Sequence, residues 1–358
     1  MASRTVAHSS ALDLLRAIEG QPDADSVRTN HCLGFVFARW LEPFSPPAPS
    51  PDKAPGDNDK PDQDAEVLVT VWQGDRLVLI FTKLGWSQSK IVSPVASSDL
   101  AAVLPSIPPL VQHLLTVAPF SSAPGLLRSL CGPQTLVDAF LASWPHPRKP
   151  SPSMTIIPMS TRSAPSTVVL PDGHSFSRIR DVAQLSLAEL NKIGQLLVTF
   201  YGNHPSAPRF SPDGLVEHTR AMILRGAFWV YRAPPCEGHE AEPVGFVQTG
   251  RPTMRTCAIR MVFVAPSHRG AGVAQRMVSA VVRAHLVEAP RLALDFARTP
   301  LEGETEEETT RFGGKDEVCL FVEPGNAAAR RVYAQVGMEE GGDLWSCVEL
   351  GEVEPGHW

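Results

Sequence analysis

Two short segments of this 358-residue chain combine residue types and spacings that suit a definite chemistry. The first, Arg269-Gly270-Ala271-Gly272-Val273-Ala274, follows the apolar run Met261-Val262-Phe263-Val264 and opens a helical pattern from Ala274 to Leu286. A strand, a glycine-rich turn and a helix N-terminus together make an anion site. The first backbone N–H groups of a helix lack intrahelical partners and point at whatever sits before them. Gly270 and Gly272 let the backbone come close to a phosphate, and Arg269 adds a fixed positive charge. That chemistry suits a cofactor bearing a pyrophosphate. The second segment, Asn326 to Met338, follows the strand-like run Cys319-Leu320-Phe321-Val322 directly. At 3.6 residues per turn, Asn326, Ala329 and Tyr333 share one helix face. Asn326 is placed to cap the helix and offer an amide to a ligand, Ala329 is small enough to let that ligand approach, and Tyr333 brings a phenol to the same place. Gly337 ends the helix.

The elements that must position these residues can be read outward from them. Ser186 and Glu189 match a capping box, and a helix runs on through Leu187, Leu190, Ile193 and Leu197. A second helix covers about Asp213 to Leu224. Three apolar segments follow, at Ala227 to Tyr231, Val244 to Gln248 and Cys257 to Val264, ahead of the glycine-rich turn. Beyond it come a strand at Val318 to Val322, a helix at Ala327 to Val336 and a last strand near Leu344 to Leu350. The mixture reads as α+β, not as an alternating parallel fold. Upstream, Ala11 to Ile18 reads as a helix and Cys32 to Trp40 as a strand. Val67 to Trp72 and Leu77 to Phe81 form a hairpin around Gln73-Gly74-Asp75. Helices are expected over about Leu104 to Val117 and Thr135 to Trp144. This upstream half has no glycine-rich turn before a helix and no cluster of catalytic residue types, so a structural role is expected of it.

Residues 45–66 are rich in Pro and Asp and cannot bury enough surface to offset their ordering entropy, so a disordered loop is expected. Pro145 to Ser153 is the best domain boundary. It divides an N-terminal α+β region, 1–148, from a C-terminal domain, 149–358. An acidic insertion at 301–316 carries five glutamates between Glu302 and Glu308 and reads as a solvated loop.

Composition bounds the function classes. With 43% hydrophobic and 20% charged residues a sizeable core is available. The net charge of −6 argues against a nucleic-acid partner, whose affinity would rest on a basic surface. Six scattered cysteines read as reduced thiols, and the eleven histidines form no metal-binding spacing. The nearest ligand cluster, Cys236, Glu237, His239 and Glu240, lies in a Pro/Gly loop and reads as a solvated turn, so no metal is expected. The first twenty residues lack the apolar core of a signal peptide, and no apolar run of about 18 residues exists to span a membrane. The expectation is therefore a cytoplasmic protein, with the nucleus as the alternative, no membrane partner and no assigned oligomeric state.

Taken together the two segments resemble the GNAT superfamily of acyl-CoA-dependent N-acyltransferases. The likeness lies in R-x-x-G-x-A, at Arg269, Gly272 and Ala274, and in N-x-x-A-x-x-x-Y-x-x-x-G, at Asn326, Ala329, Tyr333 and Gly337. It covers roughly Ser177 to Leu350. The resemblance implies a mixed, mostly antiparallel sheet with splayed central strands flanked by helices, here preceded by a smaller α+β half that is either structural or a degenerate copy of the same fold. It implies acetyl-CoA as cosubstrate, with its pyrophosphate on the amides from Arg269 through Gly270, Ala271, Gly272 and Val273 to Ala274. The pantetheine would pair with Val262, Phe263 and Val264 as if it were another strand. A backbone N–H near Val262 or Phe263 would polarise the thioester carbonyl. Asn326 would complete the cofactor site, and Tyr333 would act as general acid toward the departing thiolate.

Many members of the family carry a glutamate on the strand before the glycine-rich turn to deprotonate the amine. Here that strand reads Cys257-Ala258-Ile259-Arg260-Met261-Val262-Phe263, with no carboxylate. Glu323, at the end of the next strand, and His204, in the loop between the first two helices, are the candidate substitutes, unless the first is a surface residue and the second an exposed loop histidine; water or the substrate's own ionisation is the other route. Met338 stands where an aromatic residue often follows the motif's glycine, a change of packing. The acceptor is expected to be a primary amine, of a small molecule in preference to a protein lysine or N-terminus. A non-catalytic CoA-binding scaffold is the alternative from another class.

Overall fold

The computed structural model describes residues 3–21, 23–41, 66–85, 88–145, 150–202, 212–225, 227–234, 240–288 and 314–350. All but the last residue of the loop expected at 45–66, most of the metal-like turn around Cys236 and most of the acidic insertion lie outside the described residues.

One 13-stranded sheet runs through the molecule. Its upstream part is built from β1 (Ser3–His8), α1 (Ala11–Ile18), α2 (Val27–Leu41), β2 (Val67–Gln73), β3 (Arg76–Lys83), β4 (Ser89–Val92), α3 (Ile107–Leu114), β5 (Ser129–Pro133), α4 (Gln134–Ser143) and β6 (Pro150–Thr161). The downstream part follows the same order. It comprises β7 (Ser175–Ile179), α5 (Leu187–Tyr201), α6 (Pro212–Arg225), β8 (Phe228–Ala233), β9 (Glu242–Gly250), β10 (Thr256–Val264), α7 (Val273–Arg283), β11 (Glu317–Val322), α8 (Ala327–Gln335), the short β12 (Glu339–Glu340) and β13 (Trp345–Leu350). In space the strands lie β1-β2-β3-β4-β5-β13-β6-β11-β10-β9-β8-β7, with β12 paired to β6. Pairing is antiparallel except at β4/β5 and β10/β11. Each half thus repeats four antiparallel strands, one parallel step and a final antiparallel strand, and the final strands β6 and β13 meet at the centre. This is the α+β arrangement expected.

Alternation along the strands sorts the helices by face. Val230 packs with α5, whereas its neighbours Trp229 and Tyr231 pack with α7. Val27 of α2 packs on Ala258 and Cys319, whereas the next residues, Ile259 and Leu320, face α7. So α7 lies on one face of the sheet, and α2 and α5 lie on the other. α2 touches β3, β4, β6, β10 and β11, so it bridges the two halves directly over the parallel β10/β11 pair.

Several elements differ from the sequence reading. Cys32 to Trp40 is the body of α2, not a strand. Its β-branched and aromatic content suits either state, but the buried Thr29, Asn30, Leu33, Val36 and Phe37 recur at helical spacing. The break expected from Pro145 to Ser153 ends within β6, whose first part pairs with β13 and whose second part pairs with β11. Leu104 to Ser106 is a short 3₁₀ turn leading into α3. β1, β4, β5 and β7 were not anticipated. Cys131 and Cys347 face each other across β5 and β13 as a disulfide, so uniformly reduced thiols are not found, while Cys32, Cys257 and Cys319 are free and buried.

Candidate active site at the split between β10 and β11

The site starts from a ladder that stops. β10 and β11 pair in parallel from Thr256↔Glu317 to Ile259↔Leu320. Beyond Ile259 a bulge shifts the β10/β9 register, and β10 continues to Val264↔Gly245 against β9 alone. β11 meanwhile stays with β6 through Val322↔Ile157. Two strands that part while each keeps its outer neighbour turn backbone edges toward the gap between them. A buried edge of this kind must find hydrogen-bond partners, and an extended ligand arm can supply them. Val262, Phe263 and Val264 occupy this parting stretch. Val262 packs on the α7 side, and Phe263 packs on the α5 side with Phe246.

The chain leaves β10 through a 3₁₀ turn, Pro266–His268, and enters α7 at Gly272. Gly270 and Gly272 both take positive φ, +81° and +72°, which an L side chain adopts only with strain. A Cβ at Gly270 would meet nothing within 4 Å, so the glycine serves the turn's conformation and keeps its outer side open. No side chain caps α7 at Gly272. The first amides of Val273 and Ala274 therefore keep their capacity for an anion, aided by a helix dipole of roughly half a charge. Arg276 folds back to donate Nη1 to the Ala271 carbonyl at 2.5 Å, which fixes the turn. Arg269 is exposed, but its Nε is committed to the Val264 carbonyl at 3.0 Å and its guanidinium lies 5.6 Å from the Phe263 ring. It ties the turn to the strand as well as contributing charge.

On the other side of the split, β11 passes through a turn closed by Asn326 N–H donating to the Glu323 carbonyl at 3.0 Å. Asn326 Oδ1 then accepts from Ala329 N–H at 3.1 Å, the cap expected of it. Arg330 braces the turn by donating to the Pro324 carbonyl and pairing with Glu340. Ala329 and Tyr333 pack against the apolar cluster shared by α7 and β10, so α8 leans on α7 across the mouth of the split. Burial pushes the Tyr333 phenol up to about 12. It stays protonated, and it works better as a hydrogen-bond donor to a thiolate than as a full proton donor to one.

The two substitute bases fare differently. Glu323 is an exposed turn residue. His204 lies outside the described residues. The sequence reading missed a contribution from the upstream half: α2 covers the opposite face of the β10/β11 pair and brings His31 to within 5.0 Å, ring to ring, of Phe321. No local motif marks this, because the residues come together only through the fold. Among the described residues there is no group of three or more His, Cys, Asp or Glu able to hold a metal, and no helix is long and apolar enough to cross a membrane.

Residues 199–296 match the model of the acetyltransferase (GNAT) family, a span that contains the split strand and the glycine-rich turn and ends before β11 and α8. No curated protein matches the chain. Among solved structures, a Drosophila protein superposes with a TM-score of 0.50 at 10% identity, covering 98% of both chains, so the fold extends over the whole length. A GCN5-related N-acetyltransferase from Sphaerobacter thermophilus has a TM-score of 0.46 at 15% identity, covering 98% of this chain and 96% of its own. A tandem GNAT protein from the clavulanic acid biosynthesis pathway has a TM-score of 0.41 at 15% identity, covering 99% and 100%.

Proposed function

We propose that this chain, whose residues 199–296 match the acetyltransferase (GNAT) family model, transfers an acetyl group from acetyl-CoA to the primary amine of a small molecule by direct attack. The observation that carries this reading is the parting of β10 and β11 after Ile259↔Leu320, beside a helix whose N-terminus no side chain caps. In this reading the amides from Arg269 to Ala274 hold the pyrophosphate, and Val262 to Val264 receive the pantetheine as a strand. A backbone N–H at Val262 or Phe263 stabilises the oxyanion as the amine nitrogen bonds to the thioester carbon. Collapse of that intermediate breaks the C–S bond, and Tyr333 donates a hydrogen bond to the departing thiolate. Asn326 holds the start of α8 beside the cofactor. Glu323 is exposed in its turn, and the base is left to His204, to water or to the acceptor's own ionisation.

The lack of a carboxylate on β10 favours a second reading, a CoA-binding scaffold without turnover. The two are separated by thiol release from acetyl-CoA across a panel of amines. The transfer reading expects turnover that falls about 10²- to 10⁴-fold in Tyr333→Phe. CoA binding without turnover on any amine, indifferent to that substitution, would leave the scaffold.

The cradle has its own test. Gly272→Glu puts a carboxylate where the pyrophosphate would lie and should abolish CoA binding by calorimetry. Gly272→Ala shares the positive-φ strain of about 1–2 kcal/mol without the charge and should retain measurable affinity. Equal affinity in wild type and Gly272→Glu would sink the assignment.

A further inference from the structure

A group of basic side chains gathers on the α2 face where the split opens. Arg260 and Phe321 are the first residues past the last ladder pair, Ile259↔Leu320. Arg251 reaches the same point from the β9–β10 connection, its guanidinium carbon 4.9 Å from the Phe321 ring. His31 of α2 sits 5.0 Å from Phe321 and 5.7 Å from Trp345, ring to ring. Lys90 of β4 places Nζ 4.1 Å from the Phe35 ring, one helical turn along α2 from His31. Arg251, Lys90 and Arg260 all lie close enough to bear electrostatically on His31. No carboxylate among the described residues bears on His31, Lys90 or Arg251. Burial, reinforced by these like charges, drives His31 well below its usual range, Lys90 down to about 8 and Arg251 down to about 10.

The cluster is costly to build, and the fold builds it with care. Arg251 takes a positive φ of 49°, a rare conformation for a residue with a side chain. It is held there by Asn30 Nδ2, which donates to its carbonyl at 2.9 Å, and by Gly34, where a Cβ would come within 2.4 Å of Arg251 Cβ. Arg251 Nε and His31 Nδ1 are shut off from solvent without a hydrogen-bond partner. Yet His31, Phe35, Arg251 and Phe321 each keep part of their surface open. Strained backbone, orphaned donors and the charges of Arg251 and Lys90 with no carboxylate beside them among the described residues are what a site for an anion needs. The α7 cradle, which suits the cofactor's phosphates, lies on the other face of the sheet.

We propose that Arg251 and His31 hold the carboxylate of the acceptor, with the buried Lys90 adding positive charge behind them, so that the substrate is an amino acid or a related amino-carboxylate. This rests on the acyl-transfer reading for the fate of the amine, but the anion site itself does not. The planar Arg251 fork suits a carboxylate, and the aromatic rings of Phe35 and Phe321 flank the stem of a short side chain. The site also bears on the missing base. One carboxylate beside Arg251 and Lys90 leaves an excess of positive charge, which disfavours the ammonium form of the acceptor and delivers a neutral amine without a glutamate on β10.

Matched pairs test the proposal: glycine against methylamine and alanine against ethylamine, with 2-aminoethyl phosphate as a phosphate arm. With acetyl-CoA, kcat/KM should favour the carboxylated member by about 10- to 100-fold. Arg251→Gln and Lys90→Met should each shrink that ratio severalfold while CoA affinity, which reports an intact fold, is retained. A ratio near one in the wild type, or one that survives both substitutions, overturns the proposal, as does preference for the phosphate arm. A second readout needs no turnover. The CoA-saturated protein should bind N-acetylglycine but not N-methylacetamide by calorimetry, and lose that binding in Arg251→Gln. Failure of all amines to turn over, with N-acetylglycine still bound, would remove the transfer reading and leave the anion site standing. Failure to bind N-acetylglycine would remove the anion site whatever the turnover.

Discussion

Tyr333 and Lys90 are both displaced from their ordinary ionisation by burial, with opposite consequences. A phenol raised to about 12 stays neutral throughout the range in which an amine acetyltransferase is assayed. Any alkaline limb of kcat below pH 10 therefore belongs to another group. Tyr333→Phe should lower the whole pH–rate profile without moving its inflections, and a limb that vanishes in the variant would overturn this. Lys90, lowered to about 8, is disfavoured as a cation in the folded protein. Between pH 8 and its unfolded value near 10.5 the unfolded chain binds the extra proton, so stability rises with pH across that window and the penalty is complete below pH 8. Lys90→Met should remove this slope and stabilise the protein at pH 7 by roughly 1–3 kcal/mol, read from denaturant midpoints. A destabilised variant would mean that the contacts of Lys90 with the Gln88 carbonyl and the Phe35 ring outweigh its desolvation.

α2 is the element on which the candidate acceptor side depends. Gly34 lets it approach the Arg251 backbone, and the built Cβ would lie 2.8 Å from Arg251 Cα and carbonyl oxygen. Backbone cannot rotate away as a side-chain tip can, so Gly34→Ala should cost about 1–3 kcal/mol. It should also weaken carboxylate-bearing acceptors more than CoA, and an unchanged melting temperature would refute the close contact. This element was also the least legible in the sequence, since Cys32 to Trp40 has a strand's composition and only burial spacing reveals the helix. By contrast the hairpin at Gln73–Arg76, the capping box at Ser186 and the turn into α7 were legible, because each is fixed by neighbours in sequence. α8 with its Asn326 cap was readable for the same reason. His31, Lys90 and Arg251 come from α2, β4 and the β9–β10 connection, which only the packed sheet brings together. β6 was hidden by its own composition, since a strand that begins Pro-Ser-Pro reads as a break.

At the scale of the whole molecule, the halves repeat one order of elements, and we read the upstream half as a copy that has lost its cofactor slot. Its parallel step, β4/β5, pairs only at Ser89↔Leu130 and Lys90↔Cys131, but the strands stay close one residue further on. A Cβ at Gly132 would come within 2.0 Å of the Ile91 carbonyl, so the two strands stay pressed together where a pantetheine would have to enter. What the upstream half supplies is α2 and the β5 edge that receives β13. β13 lies between β5 and β6 and buries Trp345, Cys347, Val348 and Leu350 there. Trp345→Ala should therefore cost about 3–5 kcal/mol in a single cooperative transition of both halves. Residues 149–358 expressed alone should stay insoluble unless 1–148 is supplied in the same cell, and a monomeric, cooperatively melting fragment would contradict that. The position of β13 also sets a timetable. At synthesis rates of 5–20 residues per second, β6 waits on the order of ten to forty seconds before the strand that will lie beside it has been made. Over that interval the middle of the eventual sheet is two open edges, so chaperones that shield unpaired strands have their longest opportunity on this chain at its centre and not at its rim.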